Sequence, residues 1–209
     1  VSSKEASRLF DGKFSHFEGK KVEVPLIYED LGKGNDDVDK RKYITFVGPP
    51  VPAKGPETFL KIVDYSASHN IGWSFLLISR SKLDDERFCK SNLEIFHRSR
   101  ISDEEFGSLL RKSLVVLTPY KRETQSAVIP ASYMYGTPVV SSNVGGLPEF
   151  VNHKETGYLV DKDAPLRDWI EGICYTLENF QTMSRNCRGY FVENFSGENW
   201  KKYLNDVLT

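Results

Sequence analysis

No stretch of this chain approaches 18 consecutive apolar residues, and Val1 opens a polar segment instead of a basic-then-apolar leader. Neither a membrane-spanning helix nor a secretory leader is therefore expected. Cysteine is scarce. Cys89, Cys174 and Cys187 are far apart and form no C-x-x-C pair, which excludes a disulfide framework and a structural zinc site and fits a reducing, cytoplasmic setting. The four histidines, His16, His69, His97 and His153, have no Cys, Asp or His neighbours at ligand spacing, so no metal is expected. Charge of one sign is also missing: 28 Lys and Arg face 29 Asp and Glu. A groove built on many phosphate contacts would need a basic excess, so nucleic acid is excluded as a partner.

What is present is enough for one core. At 209 residues, 39% of them apolar, the chain can bury a sizeable interior but is too short for two full-sized domains. It lacks an initiating Met, which suggests a piece of something longer. The run from Glu29 to Lys42 is charged and rich in Gly, Asn and Asp, as an exposed linker would be. Beyond it, apolar β-rich runs at 43–47, 73–79, 93–96, 114–117, 138–141 and 158–160 alternate with helical stretches. Runs without polar alternation read as strands buried on both faces.

Helix signals lie between them. Pro56 after Gly55 marks a first helical turn ahead of the Phe59, Leu60, Ile62 and Val63 stripe, and Ser102 with Glu105 forms a capping box. Leu166, Trp169, Ile170, Ile173 and Leu177 then recur at helical spacing, followed by helices over 181–194 and 196–208. Strand and helix in alternation predict an α/β, Rossmann-like doubly wound parallel sheet with helices on both faces and a helical C-terminus. Ligands in that architecture sit at the carboxyl ends of the strands.

Chemistry concentrates in PYKRETQSAVIPASYMYGTPVVSSNVGGLPEF, between the fourth and fifth predicted strands. Glu123, Thr124, Gln125 and Ser126 fall where a strand ends and a helix begins, and free N–H groups from Ser126 through Ala127 to Val128 would favour an anion such as a diphosphate. The plainer reading is that Thr124 or Ser126 only caps that helix. Gly145 and Gly146 would either let backbone approach a ligand or supply positive φ in a tight loop. Asp84, Asp85 and Glu86 read as a solvated face, Trp169 and Trp200 as core, and Tyr133, Met134 and Tyr135 as packing on the sheet.

The whole stretch resembles the retaining GT-B glycosyltransferases of family four, or group 1, whose donor-binding domains carry Pro-Ser-x-x-Glu, a helix, Gly-x-Pro-Val-Val and Gly-Gly-x-Pro-Glu. Pro119, Glu123, Gly136, Pro138, Val139, Val140, Gly145, Gly146, Pro148 and Glu149 fall in that order and spacing, followed by Gly157 and Leu159. Upstream, Gly48 and then Lys54-Gly55 match the family's first strand end and its Lys-Gly loop.

The resemblance implies a donor-binding half, with residues 1–40 ending a preceding acceptor domain and the linker, 41–194 binding the nucleotide sugar, and 195–209 closing back as a helix. It implies a nucleoside diphosphate sugar as substrate, no cofactor or metal, and a glycan or lipid acceptor held by the chain's own N-terminal domain. Peripheral association of the full-length enzyme with the inner face of a membrane fits such acceptors. The isolated chain should bind donor weakly and turn nothing over.

Lys54 would neutralise the diphosphate and Glu123 would accept sugar hydroxyls, so loss of the Glu123 charge should spare the bare nucleoside diphosphate. Gly48, Thr124, Gln125, Ser126, Ala127, Gly145 and Gly146 would complete the donor contacts, and Arg100 and Ile101 would reach the base through backbone groups. Two departures stand out: Ala131 occupies the place of the second Glu, which holds the ribose, and Pro49 that of an Arg. A bacterial subgroup with Asn-Pro-x-Pro-x-Lys-Gly and Thr-Gln-Ser-Gly-Val is the better match, with Gln125 and Ser126 as replacements. These losses also motivate a second expectation, a sugar-nucleotide sensor or scaffold without catalysis. A sugar-nucleotide epimerase would need further His and carboxylate groups, which the sequence does not show.

Overall fold

The computed structural model describes residues 3–19, 21, 26–33, 40–83 and 85–197. Asp84, Trp200, residues 34–39 of the linker and most of the C-terminal closing helix (198–209) lie outside the described residues.

Six parallel strands form one sheet: β1 Tyr43–Val47, β2 Ser74–Ser79, β3 Leu93–His97, β4 Ser113–Thr118, β5 Val139–Asn143 and β6 Gly157–Asp161, in the order β3-β2-β1-β4-β5-β6. The doubly wound fold expected from the sequence is thus the fold found. Side chains alternate across β1. Tyr43 and Val47 enter one core with Leu76, Val116, Ile129, Tyr133 and Phe191, whereas Ile44 and Phe46 enter the other with Phe59, Val63, Phe75 and Ile173. A central strand can therefore be apolar throughout, and each fully buried Phe or Leu contributes roughly 1.5–3 kcal/mol of transfer free energy.

α2 (Pro56–Ser68) and α5 (Leu166–Glu178) cover the second face. α3 (Asp103–Arg111), α4 (Val128–Met134) and α6 (Phe180–Asn194) cover the first, and α1 (Lys4–Lys13) stands apart from the sheet. The capping box at Ser102 and Glu105 is formed as read, and Pro56 begins α2. β3 corrects the sequence reading: it is an edge strand with Glu94 exposed and Ile95 38% exposed, so an apolar run here did not mean burial on both faces.

The linker reading also changes. Asp30 takes a two-pronged ion pair from Arg188 (2.6 and 2.8 Å), and a Cβ on Gly32 would lie 2.0 Å from the Met134 carbonyl oxygen. Arg41, only 6% exposed, donates to the Ser113 and Tyr135 carbonyls and to the Thr137 hydroxyl at the amino ends of β4 and β5. Two charges of this segment, Asp30 and Arg41, are thus satisfied inside the fold, a pairing that composition does not register, whereas Glu29, Lys33, Lys40 and Lys42 are exposed as the sequence suggested. Tyr28 bridges to Ser196, tying 26–33 to the end of α6.

Candidate functional site

The chain leaves β1 and β4, neighbours in the sheet, on diverging paths, which makes their carboxyl ends the topological switch point where open α/β sheets hold ligands. After β1 a short turn, Pro52–Lys54, ends at Gly55, whose φ of +67° is left-handed. A Cβ there would also sit 1.9 Å from the Pro119 carbonyl oxygen, so glycine is required twice over. The Lys121 N–H donates to the Ala53 carbonyl at 2.9 Å, stitching the two loops together.

That stitching brings together the two residues the sequence assigned to catalysis. The Lys54 ammonium forms an ion pair with the Glu123 carboxylate, each side chain about a quarter exposed. The same ammonium lies 3.9 Å from the centroid of the Tyr120 ring. Tyr120 is 2% exposed, and burial pushes its phenol well above the usual tyrosine range, with the Glu123 charge adding to the rise. Ser126, 3% exposed, is buried as well, and neither its hydroxyl nor that of Tyr120 has a hydrogen-bond partner among the described residues.

Gly145 and Gly146 serve the backbone. Gly145 has φ +54°, and Cβ atoms on the pair would stand 1.9 and 2.0 Å from the carbonyl oxygens of Glu123 and Thr124. The Gly146 N–H donates to the Glu123 carbonyl at 3.1 Å. The doublet lets the loop after β5 press against the loop after β4, which fixes where the Glu123 side chain departs. Glu149, from the same motif, accepts the backbone N–H groups of Lys4 and Glu5 at 2.7 and 2.9 Å, and Ser3 donates to the Thr124 carbonyl at 2.8 Å. α1 is thereby docked beside the site. Between it and the loops lies an open cavity of about 640 Å³ whose lining includes Glu5, Lys121, Arg122, Glu123, Gly145 and Lys162.

The start of α4 is less suited to an anion than its sequence suggested. Ala127 is the N-cap, with no side-chain capping bond from Thr124 or Ser126, and the helix is only seven residues long. Pro130 removes a third N–H. Gln125 is half-buried next to this turn. Gly48, φ +123°, closes β1 with open space around its Cα. Arg100 is exposed and Ile101 packs on the core beyond β3, two strands away from the Lys54–Glu123 pair. Sequence reasoning missed Tyr120, which follows Pro119 in the place of the motif's Ser, and the Glu149 clamp on α1. The aromatic substitution was the available signal for the first.

Other candidates resolve into structure. No His, Cys, Asp and Glu group suited to a metal occurs among the described residues. His153 accepts the Leu159 N–H at 3.0 Å, and burial, then Lys154, hold its imidazole below the usual range. Tyr133, Met134, Tyr135 and Trp169 are buried, and no described helix is long and apolar enough to cross a membrane.

Known proteins resemble this chain in sequence and in fold. The D-inositol 3-phosphate glycosyltransferase of Corynebacterium glutamicum is 28% identical over 155 residues, which cover 69% of this chain and 37% of that protein. This chain therefore spans well under half the length of that relative. Among solved structures, sucrose-phosphate synthase from Thermosynechococcus elongatus superposes with a TM-score of 0.80 at 19% identity, over all of this chain and 56% of its own. Anabaena HepE, solved with UDP and glucose, gives 0.77 at 16% identity, over all of this chain and 62% of its own. Both share the GT-B fold. Residues 41–179 match the family described as Glycosyl transferases group 1, and the chain belongs to that family.

Proposed function

We propose that this chain binds the nucleoside diphosphate sugar for a retaining, metal-independent glycosyltransferase whose acceptor, a glycan or a lipid-linked group, is held by a preceding domain. The observation that carries the reading is the meeting of Lys54 and Glu123 at the switch point between β1 and β4. An ammonium there faces the charge that develops on a departing nucleoside diphosphate, and a carboxylate beside it accepts sugar hydroxyls. The UDP and glucose bound by the Anabaena neighbour supply a precedent on the same fold. Free thiols at Cys89, Cys174 and Cys187 fit a cytoplasmic setting.

Calorimetric titration with UDP, GDP and ADP, and with their glucose conjugates, tests the reading. Lys54→Ala should weaken the preferred nucleoside diphosphate by about 1.5–3 kcal/mol, the worth of a hydrogen bond to a charged group. An unchanged dissociation constant would remove Lys54 from the site. Ala131 favours a second reading, binding without transfer, because it packs against the core and offers a ribose no carboxylate. Donor hydrolysis by the intact protein separates the two.

A further inference from the structure

We propose that Tyr120 is the positioning residue for Lys54, its ring face holding the ammonium at the mouth of the β1–β4 crevice so that the charge is presented to a diphosphate. The proposal rests on the diphosphate reading of that crevice. Three observations carry it. The Lys54 nitrogen stands 3.9 Å from the ring centroid, well inside the roughly 6 Å over which a ring face attracts a cation. The ring is fixed, being 2% exposed and packed in the core with Leu147 and Val144. Its hydroxyl meets no hydrogen-bond partner among the described residues, so packing, not a polar bond to the protein, is what fixes the ring.

A seat of this kind does what the Glu123 carboxylate cannot. A carboxylate partner cancels the lysine charge and competes with phosphate for it, whereas a π face holds the ammonium from one side and leaves its charge intact. The ammonium carries three N–H donors, so ring and phosphate can be engaged together. The lysine backbone is anchored as well, through Gly55 against Pro119 and through the Lys121 bond to Ala53. A long, mobile side chain is thus confined before any ligand arrives, which lowers the ordering cost of binding. If Glu123 turns to a sugar hydroxyl, Tyr120 still holds Lys54 in place.

The test measures UDP, GDP and ADP binding to Tyr120→Phe, Tyr120→Leu, Lys54→Met and the double variant Tyr120→Leu/Lys54→Met. Tyr120→Phe keeps the face and should stay within about twofold of the parent; Tyr120→Leu should lose about three- to tenfold. In the Lys54→Met background, Tyr120→Leu should cost nothing further. Since Tyr120→Leu removes a buried ring and can compromise folding, phenylalanine carrying one, two and three fluorines at position 120 gives a second series of nearly constant shape. Affinity should fall stepwise with fluorine number, because fluorine drains the ring face. Equal affinity across that series, or a Tyr120→Leu loss that persists without Lys54, would overturn the seat. An unchanged affinity in Lys54→Met, or no binding of all three nucleoside diphosphates, would instead overturn the diphosphate reading beneath it.

Discussion

Glu123→Gln should tighten binding of the bare nucleoside diphosphate while weakening that of the sugar conjugate. In the unliganded chain Glu123 is the partner of Lys54, so a diphosphate must displace or share that carboxylate. With each side chain about a quarter exposed, the pair lies between exposed ion pairs, worth about 0.2–1 kcal/mol, and buried ones, whose breakage costs about 3–5 kcal/mol. A value of about 1 kcal/mol predicts up to roughly fivefold tighter binding of the diphosphate once glutamine removes the competing charge. The sugar conjugate gains the same relief but loses a charged acceptor for its hydroxyls, about 1.5–3 kcal/mol. The ratio of the two affinities, measured by calorimetry on parent and variant, should therefore fall by about 10- to 150-fold. In a Lys54→Met background the gain for the bare diphosphate should vanish. A bare diphosphate that binds more weakly to Glu123→Gln, or a ratio that does not move, would refute the exchange. The sequence alone led to an expectation of no effect on the bare diphosphate, because spacing cannot show that the two residues hold each other.

Gly145→Ala should lower stability by at least 2 kcal/mol, about 4–8 °C in melting temperature, since the new Cβ meets the Glu123 carbonyl as well as a left-handed φ. Gly48→Ala, strained in φ but facing open space, should cost only about 1–2 kcal/mol; equal melting temperatures for the two would contradict the backbone contact. Asp30 has its carboxyl held below the ordinary 3.8 by the Arg188 hydrogen bonds, with the Gly32 N–H assisting. A depressed folded value contributes stability that is full above 3.8 and is lost as pH falls through the folded value. Urea unfolding should show Asp30→Asn costing about 1.5–3 kcal/mol at neutral pH and progressively less below 3.8, and a cost independent of pH would remove the ion pair from the account.

The strands were legible because they are short and mostly central: four of the six are buried on both faces, and the apolar runs of all six begin and end within two residues of the observed bounds. β3 was legible as a strand but not as an edge, because an apolar pair such as Ile95 and Phe96 looks the same whether or not a neighbour covers it. Gly145 and Gly146 were legible as necessary glycines, yet their reason was not: what they approach is the Glu123–Thr124 backbone, a contact across some twenty residues of sequence. Arg41 and Asp30 were misjudged because a charged, glycine-rich run looks solvated, and their partners lie 72 and more residues away.

The departures at Pro49 and Tyr120 bear on one quantity, the positive charge available to a diphosphate. Losing the motif's Arg at Pro49 leaves Lys54 as the cation that the loop after β1 holds at the switch point. A single ammonium already paired with a carboxylate would be a weak electrophile unless its position were fixed by something other than charge. The Tyr120 ring supplies that fixation without cancelling the charge, and Lys121, Arg122 and Lys162 around the adjoining cavity add to the field at the same mouth. The chain thus concentrates in one oriented lysine what the motif divides between two cations. On the proposed reading, Glu123 stays paired with that lysine until a ligand bearing both phosphate and sugar separates the two.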